Sequence, residues 1–296
     1  MSGTVITIVG NTLDSAVEKR ALQLIRGTGA DGLWVETLHP GHAIDILVKA
    51  YKPGLTTLIR QQLVALGAFD VFVQPSDSDR KKKLLIADMD ATMIQQETLD
   101  ELAGHFNLKD KIAPITEQAM RGEIDFGASL RMRVQLLKGL PQAALFETLK
   151  SIRYSPGADI LIRTMNRQGA KSVLVSGGFD LFTNHVAATL GFHKNFGNRL
   201  IVAEHKLTGE VASPILDKYV KERLVVEQAQ AFDCTLAQVI AIGDGANDIP
   251  MLKKAGIGVG YFGKPSVLEA TPHQIRHTDL KSVLYMQGYR QDEIAA

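Results

Sequence analysis

The chain has 296 residues, and its 33 lysines and arginines balance 32 acidic residues to a formal charge of +1, so no whole-chain field draws it to nucleic acid or to an anionic membrane. That length accommodates two domains, or one with a sizeable insertion, and the single cysteine, Cys234, excludes an internal disulfide and fits a reducing compartment. The N-terminal residues lack a basic segment followed by a long apolar stretch, and no apolar run reaches the ~18 residues of a membrane span, so a soluble cytoplasmic protein is expected.

Residues 1–75 alternate short strand-like runs with helical segments: "TVITIV", "LDSAVEKRALQLIRG", "GLWVETL", "AIDILV", "GLTTLIRQQLVALG" and "DVFVQ". The strand runs are rich in β-branched residues, and the helical runs carry apolar residues every three or four positions. This βαββαβ order predicts a small ferredoxin-like α+β module over 1–75. A polar break, Pro75 to Asp79, and a basic run, Arg80 to Lys83, then read as a solvated linker over 76–83. Four charges without interleaved aromatics make a poor nucleic-acid footprint.

From residue 84 the pattern becomes strands separated by long helical segments, which predicts an α/β core with a Rossmann-like parallel sheet over 84–296. "KLLIAD", "KSVLVSGG", "QVIAIGD" and "GIGVG" are apolar runs ending in Gly or Asp, as parallel strands buried on both faces do. The roughly 80 residues between the first two are too many for a crossover helix and are helical by periodicity, so an inserted helical cap is expected at about 97–152. Ligands of open sheets sit beyond the carboxyl ends of the strands, which directs attention to the residues after each run.

In "LLIADMDATMI" the first run ends in two acids, Asp88 and Asp90. Alternation along an extended segment sends both to one side, where their repulsion costs free energy unless a cation or a shared proton offsets it. One Asp at a strand end would merely cap a turn; for a pair, a divalent metal nearby would be one compensation. "VLVSGGFD" sets Ser176, Gly177 and Gly178 after the second run, a hydroxyl and open amides for a phosphate oxygen, or else a plain tight turn. "LDKYVKERLVVEQA" offers Lys218 and Lys221 as cations. "GDGANDIPML" places Asp244 at the end of the third run and Asp248 just before Pro250, which suits a first helical turn. Oxygen donors at this density suit Mg²⁺, although a turn residue and an N-cap would look the same in isolation. "GVGYFGKP", residues 258–265, nearly spells a P-loop, but Pro265 stands where a metal-binding Ser or Thr is required, so it reads as a sheet-edge loop.

Taken in order, Asp-x-Asp-x-Thr from Asp88 to Thr92, Ser-Gly-Gly from Ser176, a lysine, and Gly-Asp-Gly-x-Asn-Asp ending at Asp248 resemble the motifs of the haloacid-dehalogenase (HAD) superfamily of phosphatases. Within it, "DMDATMIQQETLDELA", "AMRGEIDFGASLRMRV" and "AIGDGANDIPMLKKAG" are similar to the phosphoserine phosphatase family. This resemblance spans roughly residues 84–280; residues 1–75 look like the small ACT-type modules of some amino-acid enzymes.

The resemblance implies Mg²⁺-dependent hydrolysis of O-phosphoserine to serine and phosphate through an aspartyl-phosphate, the last step of serine biosynthesis. It implies Asp88 as nucleophile and Asp90 as the acid that protonates the leaving oxygen and then activates water, a role that calls for a raised pKa. It implies Mg²⁺ on Asp88, Asp244 and Asp248 with the main-chain carbonyl of Asp90. Thr92, Ser176 and the motif lysine would hold phosphoryl oxygens, with Asn247 beside the substrate; spacing favours Lys221, and Lys218 is the alternative one turn earlier. Glu97 would take the substrate's ammonium and Arg133 its carboxylate, while Phe126 forms an apolar wall and Gly177 offers an amide. Arg131, two positions from Arg133, points elsewhere on a helix. Ala91 stands where the family often carries Ser or Gly.

Three other readings stay open at this level: a related phosphatase or phosphotransferase acting on another small phosphomonoester, a receiver domain that retains its phospho-aspartate, and a serine sensor in residues 1–75. The expected partner is the small-molecule substrate, with no nucleic acid and no membrane, and a homodimer is an admissible assembly.

Overall fold

The computed structural model describes residues 3–30, 32–49, 53–76, 79–120 and 123–296. In the N-terminal part, β1 (Gly3–Gly10), β2 (Trp34–His39), β3 (Ala43–Val48) and β4 (Phe69–Ser76) form an antiparallel sheet of order β2-β3-β1-β4, connected in part by helices α1 (Ser15–Gly27) and α2 (Pro53–Val64). The Asp14 carboxylate accepts from the N–H groups of Ala16 and Val17, both at 2.9 Å, which sets where α1 begins. β1 is central, and its alternation divides two faces. Ile6 and Ile8 join Ala21, Ile25, Ile59 and Leu63 in a core under the helices. Val9 lies with Leu38, Ala43 and Phe72 in the core of the rest of the chain.

That second face also carries polar anchors. Buried Asp70 on β4 accepts from the N–H groups of Arg276, His277 and Thr278 at 2.8, 3.2 and 3.0 Å, and from the Thr278 hydroxyl. Asp45 on β3 receives Arg80 on both oxygens, at 2.5 and 2.8 Å, and the Thr7 hydroxyl at 2.7 Å. Asp70→Ala would strand three amide donors at once. Loss of bonds to a charged acceptor should lower the unfolding free energy by about 2–4 kcal/mol, read as a lower denaturant midpoint with an unchanged slope.

The basic run, expected as part of a solvated linker, is solvated only in part: Lys81 and Lys83 are exposed, Arg80 is half-buried and Lys82 is buried. Arg80 also donates from Nε to the Met286 carbonyl at 3.0 Å, 206 positions further on. Lys81 pairs with Glu293 at 2.5 Å and lies 4.4 Å over the Tyr289 ring. Lys82 is buried and donates to the carbonyls of Asp79 and Ala237 at 2.7 and 2.9 Å. Burial of the aliphatic stem with a capped ammonium tip explains how Lys82 leaves water, while Lys81 and Lys83 stay exposed. Asp77 and Ser78 of that expected linker lie outside the described residues.

The chain then enters β5 (Leu84–Ala87) and, after it, helices α3 (Thr98–His105), α4 (Lys109–Met120), α5 (Phe126–Gln135) and α6 (Ala143–Lys150), in the segment expected as a cap. It returns beside its exit, where Ile94 bridges Tyr154 and Ser155 donates its N–H to the Met93 carbonyl. There follow α7 (Ala158–Arg167), β6 (Lys171–Phe179), α8 (Asp180–Leu190), β7 (Lys194–Asn198), the hairpin β8 (Leu200–Ala203) and β9 (Lys206–Val211), and α9 (Lys218–Ala231). The last elements are β10 (Val239–Gly243), α10 (Ile249–Lys254), β11 (Ile257–Tyr261), α11 (Pro265–Ala270), β12 (His273–Ile275) and α12 (Ser282–Met286).

A parallel sheet of order β12-β11-β10-β5-β6-β7 results. β5, β10 and β11 are buried along their whole lengths, as their unbroken apolar runs require. Register gathers the chemistry: Ala87 lies opposite Leu174 on one side and Ile242 on the other, so Asp88, Ser176 and Asp244 stand at neighbouring points toward the carboxyl ends of their strands.

Candidate active site

β5 ends at Ala87, and the backbone then turns instead of continuing extended. Asp90 has φ −67° and ψ 135°, Ala91 has φ 52° and ψ 8°, and Ile94 donates its N–H back to the Met89 carbonyl at 3.0 Å. Simple strand alternation therefore does not place the two acids; a tight turn does. Ala91 occupies the left-handed region, where a glycine would be unstrained.

Asp88 is buried, and so is Lys221, whose ammonium lies 2.5 Å from Asp88 Oδ1 and 2.7 Å from Asp248 Oδ1. Lys218, the alternative, is exposed, with its ammonium 5.2 Å from the centroid of the Tyr219 ring. Asp217 caps α9 by accepting from the N–H groups of Tyr219 and Val220, both at 2.9 Å, and this start of the helix places Lys221 in its first turn. Burial opposes the charge on Lys221, yet Asp248 and Asp88 outweigh it and hold the lysine pKa above its ordinary value.

Asp248 is no side-chain N-cap for α10. Its carboxylate turns back to accept from the N–H groups of Gly245 and Asp244 at 3.0 and 3.2 Å, and from Asn247 Nδ2 at 3.3 Å. Gly243 permits this approach, since a Cβ there would stand 2.6 Å from the Asp248 carboxyl. Carboxylate oxygens of Asp88, Asp244 and Asp248 all fall within 4.8 Å of one another, and all three residues are buried. Desolvation, then the charge of Asp248, pushes the Asp88 carboxyl well above the usual carboxylate range, and desolvation also raises Asp244. Three buried hard-oxygen donors with too little positive charge among them fit a divalent cation.

Asp90 is oriented from two sides: Thr98 N–H, the first of α3, donates to Oδ1 at 2.8 Å, and the Ser176 hydroxyl donates to Oδ2 at 3.1 Å. Burial raises its pKa against those two donors. Ser176 Oγ in turn accepts from Gly178 N–H at 2.8 Å. The Ser-Gly-Gly stretch is not a tight turn, because β6 continues through Phe179 past a register shift and neither glycine has positive φ. Gly177 is small because Phe126 packs on it: a Cβ would meet the Phe126 ring at 3.0 Å. Thr92 is fully buried, and its hydroxyl has no hydrogen-bond partner among the described residues.

On the cap side, Phe126 and Arg133 are seven positions apart on α5 and share a face, whereas Arg131 is exposed. Arg133 donates from Nε to the Ser129 carbonyl at 3.3 Å, and its charge, disfavoured by burial, is supported by Asp100 and Glu97. Glu97, with about half of its side chain exposed, is pushed up to about 7, first by desolvation of its carboxyl and then by Asp90, against Lys264.

Two residues here escaped the sequence reading. Asn198 is buried, donates from Nδ2 to the Gly177 carbonyl at 2.8 Å and accepts from Leu216 N–H at 2.7 Å, so it ties the Ser-Gly-Gly strand to the segment entering α9. Lys264, in the loop dismissed as sheet-edge, lies 3.0 Å from Asp244 and 3.5 Å from Glu97. β12, not β11, is the edge strand, which brings the 262–264 loop to the site. The Gly-Lys pair in "GVGYFGKP" was the available signal, read for the wrong motif.

Residues 85–253 match the family model of haloacid dehalogenase-like hydrolases. A phosphoserine phosphatase of Streptomyces coelicolor is 34% identical over 296 residues, covering 99% of this chain and 72% of that protein. Among solved structures, a HAD family hydrolase from Salmonella enterica serovar Typhi superposes with a TM-score of 0.86 at 30% identity, covering 96% of this chain and 98% of that one. A substrate-bound phosphoserine phosphatase complex superposes with a TM-score of 0.65 at 38% identity, covering 69% of this chain and 98% of that one.

Proposed function

The chain belongs to the haloacid dehalogenase-like hydrolase family, and from that premise we propose that Asp88 and Asp90 carry the hydrolysis of O-phosphoserine to serine and phosphate. The observation that supports this most directly is the convergence of Asp88, Lys221, Asp248 and Asp244 at one sheet edge, with Asp90 held beside them.

The Asp88 carboxylate attacks phosphorus, and the bond to the serine oxygen breaks as that oxygen takes the Asp90 proton. Asp90 then removes a proton from the water that attacks the aspartyl-phosphate, which frees phosphate and restores both acids. Its raised pKa suits the first step, and the Thr98 and Ser176 donors, one on each oxygen, hold the carboxyl in place. In this reading the Thr92 hydroxyl, which has no hydrogen-bond partner among the described residues, meets phosphoryl oxygens together with Ser176 and Lys221, and Asn247 lies beside the substrate. Mg²⁺ is the cation we assign to Asp88, Asp244, Asp248 and the main-chain carbonyl of Asp90, where it would supply neutralising charge for the phosphate. Glu97 takes the substrate's ammonium, Arg133 its carboxylate, Gly177 offers an amide, and Phe126 walls the cleft.

The division into 1–75, 76–83 and 84–296, with a cap at about 97–152, belongs to the same proposal and is supported by the separate apolar core under α1 and α2. A cytoplasmic setting is supported by the single cysteine; no helix among the described residues is long and apolar enough to cross a membrane.

The test is phosphate release from phosphoserine with and without Mg²⁺; no release by the native protein with Mg²⁺ would sink the reading. Arg133→Ala separates this substrate from other phosphomonoesters. Loss of a charge-assisted carboxylate contact should cut kcat/KM for phosphoserine about a hundredfold, while turnover of an aryl phosphate, which has no carboxylate, stays within a few fold. Equal losses on both would assign Arg133 to structure and not to specificity.

A further inference from the structure

Lys264 has no part in the reaction derived above, yet it is anchored to the site twice. Its main-chain N–H donates to the Asp244 carbonyl at 2.8 Å, and its ammonium lies 3.0 Å from Asp244 Oδ2 and 3.5 Å from Glu97 Oε1. Each of the three clustered carboxylates therefore meets an ammonium: Asp88 and Asp248 share Lys221, and Asp244 has Lys264. The two lysines differ in what they can do. Lys221 is 1% exposed and fixed between two buried acids, whereas about half of the Lys264 side chain is exposed and a second carboxylate stands within reach of it.

We propose that Lys264 is the resident counter-ion of the cation site, held on Asp244 until a divalent cation displaces it toward Glu97, and that it thereby sets how tightly the cation binds. The inference rests on the reading of Asp244 as a metal ligand. Its physical basis is competition for one carboxylate. An ammonium at 3.0 Å satisfies the oxygen the cation needs, and a cation seated there repels the ammonium with an energy that falls only as the inverse of distance. Exposure makes displacement cheap, because water and Glu97 replace the lost contact. Lys221, buried and doubly paired, has no such exit. In every side-chain variant at 264 that keeps a main-chain N–H, the Asp244 carbonyl stays held, so substitution reports the ammonium alone.

The experiment is calorimetric titration of the full metal-free chain with Mg²⁺, using the native protein, Lys264→Met, Lys264→Arg and, as an exposed control, Lys218→Met. Lys264→Met should bind the cation about three- to tenfold more tightly, the scale expected for removing one partly screened competing charge. Lys264→Arg and Lys218→Met should match the native protein. As a second readout, the rise in melting temperature on adding Mg²⁺ should be larger in Lys264→Met than in the native chain. Unchanged or weaker binding in Lys264→Met overturns the proposal, as does equal tightening in Lys264→Arg or Lys218→Met. A native chain that takes up no Mg²⁺ would overturn the assignment of the metal site itself, a different and distinguishable failure.

Discussion

Asp88→Asn should abolish phosphate release from phosphoserine, lowering kcat at least ten-thousandfold, or about 5.4 kcal/mol of barrier, without destabilising the metal-free protein. Asparagine keeps the shape but cannot form the aspartyl-phosphate. The stability half of this prediction comes from the environment of Asp88. Burial and the charge of Asp248 hold its carboxyl well above the usual range, so its ionisation at neutral pH opposes folding. A carboxyl raised in the fold favours the folded state most below its unfolded value of about 3.9 and withdraws that support as pH climbs toward its folded value. Asparagine has no proton to lose. In EDTA the variant should therefore melt at or above the native temperature at pH 7, and the gap should close as the pH is lowered. Residual turnover above a tenth of native would exclude Asp88 as the nucleophile.

Lys221→Met should damage both activity and stability, and Mg²⁺ should repair mainly the second. Lys221 is the only ammonium touching Asp88 and Asp248 among the described residues, and both acids are buried. Removing one partner of a buried ion pair leaves uncompensated charge and costs about 3–5 kcal/mol, which differential scanning calorimetry of the metal-free chain would show as a clear drop in melting temperature. A divalent cation replaces the missing charge and binds only the folded site, so saturating Mg²⁺ should recover much of that drop. Turnover should stay about a thousandfold down, because a cation on the carboxylates does not restore the ammonium proposed to meet the phosphoryl oxygens. A variant as stable as the native chain in EDTA would show that the pair contributes nothing to holding the site.

The parts of the molecule that could be read from the sequence share a physical reason. Parallel strands covered on both faces must be apolar throughout, so β5, β6, β10 and β11 stand out, and the chemistry sits in the next few residues. The N-terminal module was legible because its strands and helices alternate over short distances, as in "TVITIV" followed by "LDSAVEKRALQLIRG". β7 ("KNFGN") carries no apolar run because an edge strand needs less burial, whereas β12 ("HQI") is only three residues long and shows no run although His273 and Ile275 are buried. Arg80 and Lys82 could not be told from solvated charges, since several of the groups that bind them, Asp45, Met286 and Ala237, lie 35 to 206 positions away. The turn at Ala91 was hidden for a different reason: nothing in "DMDAT" says that an alanine adopts a left-handed backbone. Lys264 was hidden by its neighbour, since Pro265 disqualified the motif and drew attention from the lysine.

The anchors on the second face of the N-terminal sheet bear on how this chain could be recombined. Among the described residues, Asp70 and Asp45 bond to no group of the catalytic cleft, yet they satisfy three amides of the 276–278 loop and the guanidinium of Arg80. A foreign module of the same fold, spliced in at residue 79, would bring matching strands but would orphan those donors unless it carried acids at the same two places. Persistence of the two acids in descendants of this chain would then record the grip of one half on the other, and would say nothing about what the module itself binds.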